Sequence, residues 1–218
     1  MGAGEPVGSH GRKWQSKTKL TPEQRALGLE RLRLAALMQF TLPGVPCIYY
    51  GDEAGMEGYK DPFNRAPYPW GHEDASLVAW YKGLGQMRGR LSCLREGSFV
   101  PLQADGHCLS YVRDDAVDAL LVAINAGDEP RTLYLPQEWH AAPTIFGEEP
   151  DRNGGVNLPP RGYTVLSYQK HPSPAGPYAL GKPETPEETV ESIKDMIIEN
   201  ADKQPELKKE LMNFLKNM

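Results

Sequence analysis

Three cysteines in 218 residues, with no CxxC pair among them, exclude a disulfide-stapled scaffold and a cysteine zinc cluster. Cys47, Cys93 and Cys108 are odd in number and widely spaced, so their expected place is core packing in a reducing, cytoplasmic compartment. No run of about 18 apolar residues is present to span a bilayer, and MGAGEPVGSHGRKW at the N-terminus has no apolar stretch of a secretory signal. A formal net charge of −5 and a pI near 5.6 give no basic footprint for nucleic acid. Neither a membrane nor a nucleic-acid partner is expected. The histidines at 10, 72, 107, 140 and 171 form no HExxH or paired spacing, and there is no P-loop, GxGxxG or GxSxG. Metal, nucleotide and nucleophilic-serine chemistry therefore have no sequence support, and no cofactor is expected.

What is present is a globular composition: 39% hydrophobic and 24% charged residues, enough for one sizeable core and a small appendage. The chain changes rhythm twice. Up to about residue 96 the pattern is helix, strand, loop, helix. TPEQ at 21–24 supplies Thr21 as N-cap, Pro22 in the first turn and Gln24 for a capping box, opening a helix to about Phe40. Its LAALM stretch is apolar all round and predicts neighbours on more than one side. Pro43 and Gly44 end it, and VPCIYY at 45–50 reads as a strand buried on both faces of a parallel sheet. A second helix starts near Asp74 with a stripe of Leu77, Trp80, Leu84, Met87 and Leu91.

From Ser98 to Lys170 short runs of period two, CLSYVR, DALLVAINAG, RTLYLP, PTIFG and YTVLSYQ, are separated by turns rich in Gly, Asp, Asn and Pro. They predict an antiparallel sandwich. With few aromatics that read as exposed, it reads as structural support more than as a starch-binding module. A Pro/Gly-rich linker at 171–184 then leads to a charged helical tail at 185–218. From residue 171 onward there are six lysines and no arginine, whereas residues 1–170 hold 12 arginines and 6 lysines. The tail thus differs in style from the body. Val190, Ile193, Ile197, Leu207, Leu211, Phe214 and Leu215 give it apolar faces, broken near Gln204-Pro205, that are expected to dock on the body or on another chain.

QFTLPGVPCIYYGDEAGMEGYKDPFNRAPYPW at 39–70 closely resembles the eighth-strand region of glycoside hydrolase family 13, the α-amylase superfamily, in its neopullulanase, cyclomaltodextrinase and maltogenic amylase branch. The resemblance covers about residues 20–170, the end of that family's chain. It implies a mixed α and β fold: the C-terminal fragment of a (β/α)8 barrel at 1–96, then an antiparallel β-sandwich domain at 97–170. The implied activity is retaining hydrolysis of α-1,4 glucosidic bonds, with α-1,6 links or cyclodextrins as further substrates. The implied ligand is an α-glucan or maltooligosaccharide. The family's nucleophile and acid follow its fourth and fifth strands, ahead of anything represented here, so this chain is expected to be inactive by itself. The segment at 45–50 cannot stay an isolated strand, so it is expected to rearrange, to pair with another copy of the chain, or to depend on an N-terminal barrel partner. The alternative is a non-catalytic glucan-binding or protein-interaction module.

Four residues are singled out for substrate contact. GSHG at 8–11 partly resembles the family's His-Asp motif, with His10 in the histidine position and Gly11 where the aspartate belongs. In DPFNR, Asp61 and Arg65 lie four apart and are placed to meet over one helical turn, forming a charge-assisted unit with donors and acceptors left for sugar hydroxyls. The family's Asp-Pro-X-X-Arg element lines a donor-side glucose subsite. Trp70, with Tyr50, offers an aromatic face to a sugar ring or packs within the core or loop. Asp52 and Glu53 are weaker candidates. Retaining chemistry needs two carboxyls about 5 Å apart across one bond, and neighbours on a strand point to opposite faces.

Overall fold

The computed structural model describes residues 11–170. His10, the linker at 171–184 and the tail at 185–218 lie outside the described residues. Four helices come first: α1 (Arg12–Gln15), α2 (Pro22–Thr41), α3 (Ala75–Arg90) and α4 (Cys93–Glu96). Seven strands follow: β1 (Ser98–Asp105), β2 (Cys108–Asp114), β3 (Asp118–Asn125), β4 (Arg131–Tyr134), β5 (Thr144–Gly147), β6 (Gly155–Leu158) and β7 (Tyr163–Gln169).

Local chemistry starts both long helices where the sequence predicts. The Thr21 hydroxyl accepts from Gln24 N at 3.2 Å, and the Gln24 side chain accepts from Thr21 N at 3.0 Å, closing the capping box. Asp74 caps α3 by accepting from Ser76 N and Leu77 N, each at 3.1 Å. Along α3 the buried side chains are Leu77, Tyr81, Leu84 and Met87. Trp80 is half-buried instead, its ring 5.3 Å from those of Phe146 and Tyr163.

Strands β1-β2-β3-β7-β5 form one antiparallel sheet and β4-β6 a second. Period-two alternation sends the two faces of the large sheet to different cores. Tyr111, Val122 and Val165 stand opposite one another across β2, β3 and β7 and pack on Leu34, Leu37, Phe40, Leu77 and Leu84 of α2 and α3. One residue along, Leu121 and Leu166 pack with Leu133, Val156, Leu158 and Trp139 on the small sheet's side. All eight residues of β3 are consequently buried. The helices therefore cover one sheet face and the small sheet covers the other.

Two arginines are among the polar ties between the helices and the sandwich. Arg113, 1% exposed, donates to Thr41 O and Gly97 O at 2.9 Å and to Ser98 O at 3.1 Å. It thus satisfies a carbonyl at the end of α2 that the helix cannot. Arg161, held at φ 56°, pairs with Glu30 on α2 and with Asp128, each at 2.5 Å.

Three expectations need correction. VPCIYY at 45–50 forms no strand. A parallel strand needs hydrogen-bonding neighbours on both edges, and among the described residues none flanks this segment. It runs irregularly, leaving Val45 91% exposed, with Ile48, Tyr49 and Tyr50 also exposed. Cys47 is exposed rather than packed in the core, in contrast to buried Cys93 and Cys108. The apolar LAALM stretch buries Leu34, Ala36 and Leu37 but leaves Ala35 exposed, so within residues 11–170 one side of α2 has no cover.

Candidate functional site

The long connection between α2 and α3, residues 42–74, holds most of the residues singled out by sequence. Its two ends are fixed by neighbouring helices. Arg88 on α3 donates to Phe40 O at 2.8 Å and to Gly44 O at 2.5 Å, and the Gln39 amide donates to Cys47 O at 2.6 Å. At the other end Asp74 N donates to Ala54 O at 3.0 Å. Between them Gly51 turns the chain at φ 93°, and a Cβ there would lie 2.3 Å from Met56 Sδ. Only glycine suits that combination of positive φ and close approach. Arg25 of α2 completes the anchoring, donating to Gly55 O at 2.9 Å and pairing with Glu57 at 3.5 Å.

The turns over 50–55 carry Asp52 and Glu53. Glu53 folds back to accept from Gly51 N at 2.9 Å. Burial and the adjacent Glu53 charge raise the Asp52 carboxyl above its usual range. Burial, with Asp52 and Glu53 adding to it, pushes the Tyr81 phenol on α3 up to about 12. Glu53 is thus occupied in holding the turn.

Asp61 and Arg65 do meet. Arg65 Nε lies 2.5 Å from Asp61 Oδ1, and both side chains are well exposed. Consecutive turns rather than a helix bring them together, with Phe63 N donating to Lys60 O at 2.9 Å and Arg65 N to Pro62 O at 3.0 Å. The pair engages one carboxylate oxygen and one guanidinium nitrogen, so the outer oxygen and the terminal N–H groups remain for a ligand. Beneath it, Gly58 lets the backbone of Asn64 approach, since a Cβ would sit 3.0 Å from Asn64 Cα.

Trp70 is 80% exposed, so core packing does not hold it. Its ring leans on Tyr68, with centroids 4.6 Å apart at 49°, which steadies the indole and leaves it open to solvent. Tyr50 is tethered by its hydroxyl, which donates to Ala66 O at 2.7 Å, and its ring lies 5.4 Å from that of Tyr49. Sequence reasoning missed Asn64. Its Oδ1 is buried without a hydrogen-bond partner among the described residues, and its amide contacts the Tyr49 hydroxyl at 3.4 Å. The only available signal was its place inside DPFNR. No group of three or more His, Cys, Asp or Glu suited to a metal ion occurs among the described residues. No described helix is long and apolar enough to cross a membrane.

Comparison with known proteins gives this loop a family. Residues 10–117 match the model of the α-amylase catalytic domain, and the chain belongs to glycoside hydrolase family 13, the α-amylase superfamily. Its type is that of the cyclomaltodextrinases, neopullulanases and amylopullulanases. An amylopullulanase of Thermoanaerobacter thermohydrosulfuricus is 44% identical over 87 residues, covering 40% of this chain and 6% of that protein. A cyclomaltodextrinase of a Bacillus species is 37% identical over 117 residues, covering 52% of this chain and 21% of that protein. The crystal structure of a debranching enzyme from Nostoc punctiforme superposes with a TM-score of 0.57 at 28% identity, covering 64% of this chain and 31% of that one. The chain therefore spans about a fifth or less of the length of these two curated relatives.

Proposed function

We propose that this chain is the C-terminal region of a retaining α-glucan hydrolase acting on α-1,4 glucosidic bonds, and that its loop at 51–70 supplies part of the glucan-contact surface. The observation that carries the reading is the preformed, exposed Asp61–Arg65 pair, on the same anchored loop as an indole that is braced but uncovered. A sugar offers C–H faces to an aromatic ring and hydroxyls to a charged pair, so the two kinds of group suit one ligand class. His10, outside the described residues, is the candidate for the family histidine, with Gly11 in place of the acidic partner.

Cleavage is a separate matter. Within these residues the nearest candidates for a carboxyl pair are Asp52 and Glu53, and Glu53 is engaged in holding its own turn. The 218-residue chain alone is therefore a contributor of contacts, with an N-terminal barrel partner or a second copy completing the active cleft. Loss of one member of a catalytic set commonly removes a factor of about 10⁴ or more, and here the nucleophile, the acid and the third carboxylate all lack a match. Reducing-sugar release from starch, pullulan, maltotriose and cyclodextrins at high protein concentration tests this, with Asp52→Asn and Glu53→Gln variants as controls. The expected result is background in all three proteins. Turnover by the parent chain that disappears in either variant would overturn it and make the turn at 52–53 catalytic.

A further inference from the structure

The small sheet carries a second candidate contact surface, far along the chain from the loop at 51–70. On β4 and β6 the residues Leu133, Val156 and Leu158 point into the core, so by alternation Thr132, Tyr134, Gly155 and Asn157 share the outer face. Tyr134 pairs with Gly155 and Thr132 with Asn157. Tyr134 is 74% exposed, and neither its hydroxyl nor the side chains of Thr132 and Asn157 make a hydrogen bond among the described residues. A tyrosine opposite a glycine has no cross-strand side chain over its ring.

The vacant Cβ position of Gly155 is filled by a carboxylate. A Cβ there would lie 2.9 Å from Asp151 Oδ2, which places that oxygen over Gly155, the residue paired with Tyr134. Asp151 is held rigidly: its Oδ1 accepts from Asn153 N at 2.7 Å and Gly155 N at 2.9 Å, and its own N donates to Gly155 O at 2.8 Å. Gly154, at φ 78°, permits this turn while its backbone packs on the His140 ring, where a Cβ would come within 2.0 Å. Oδ2 is left with no hydrogen bond and no ion pair among the described residues. The fixed elements on one face are thus an open aromatic ring, a free carboxylate oxygen over the glycine paired with it, and a hydroxyl and an amide one pair further along.

We propose that the outer face of β4 and β6, built from Tyr134, Asp151, Asn157 and Thr132, is a glucan-binding platform separate from the loop at 51–70. The ring stacks on the apolar face of one glucose unit, Asp151 Oδ2 accepts from its hydroxyls, and Asn157 and Thr132 exchange hydrogen bonds with the next unit. A neutral polyhydroxylated chain fits this set. An anionic ligand would meet the Asp151 charge, and a protein partner would find a single apolar group. The choice of glucan rests on the functional reading above, whereas the site itself rests on this geometry.

The test is a 15N NMR titration of the full chain with maltoheptaose. Saturable shifts are expected at the amides of Thr132, Tyr134, Asp151 and Asn157. Tyr134→Ala should weaken them about tenfold, whereas Tyr134→Phe, which keeps the ring, should bind as the parent does. In an Arg65→Ala chain the same four amides should still respond. Absence of saturable shifts at these residues, or a Tyr134→Ala chain that titrates like the parent, overturns the platform. Because the amides of 61–70 are read in the same spectra, a response confined to them would overturn the platform while leaving the proposed function standing.

Discussion

Strand β3 and the segment at 45–50 have similar compositions and opposite fates. DALLVAIN is buried at every position between the helices and the small sheet, whereas VPCIYY lies irregular and exposed. Both are short apolar runs between turn signals, the pattern of a strand buried on two faces. The difference lies in what stands beside them. The flanking strands β2 and β7 take up the hydrogen bonds of β3 along seven residue pairs each, while none of the amides of 45–50 reaches a hydrogen-bond acceptor among the described residues. Apolar composition selects for burial, but only neighbours supply the ladder. Stability in this molecule therefore resides in the helix-covered sandwich, and the loop is free to hold residues for contact.

That division is sharpest at Arg113. Arg113→Ala leaves the carbonyls of Thr41, Gly97 and Ser98 without their donor and opens a cavity between α2 and the sheet. The expected cost is on the order of 4 kcal/mol, read as a lower urea midpoint. Thr21→Ala should cost about 1 kcal/mol in the same assay, because it opens the capping box of α2.

A smaller effect is expected on acidification. The Ser76 hydroxyl, then the Leu77 amide, hold the Asp74 carboxyl below its ordinary range. A depressed carboxyl contributes stability that is fully present above its unfolded value and is lost as pH falls through the lower folded value. Asp74→Asn, which still caps the helix, should match the parent at neutral pH and flatten the acid limb of its stability curve. The smallest effect should come from the loop: Val45→Ser is expected to shift the urea midpoint by no more than about 0.5 kcal/mol equivalent. A large loss there would show that the segment is buried after all and would break the comparison.

Much of the fold was legible because its signals are local. Thr21, Gln24 and Asp74 mark helix starts by side-chain chemistry that needs no tertiary context. The run YTVLSYQ coincides with the full length of β7. Strands β1 and β6 were not among the runs singled out. Every residue of β1 is exposed and Pro101 interrupts it at a bulge, as suits an edge strand, and β6 is four residues within a stretch rich in Gly and Pro. The site was legible in part. The spacing of Asp61 and Arg65 foretold their contact, but the exposure of Trp70 depends on what surrounds it. The setting of Tyr134 depends on a glycine in a different strand, which no local pattern reveals.

Hydrogen exchange on the full chain, with and without saturating maltoheptaose, tests the separation of fold from contact most directly. The account predicts that amides at 119–124 exchange only through global unfolding in both samples, that those at 45–50 exchange near the unstructured rate, and that those at 61–70 slow when the glucan is added. Protection at 45–50 equal to that at 119–124, or exchange at 61–70 indifferent to the glucan, would contradict it.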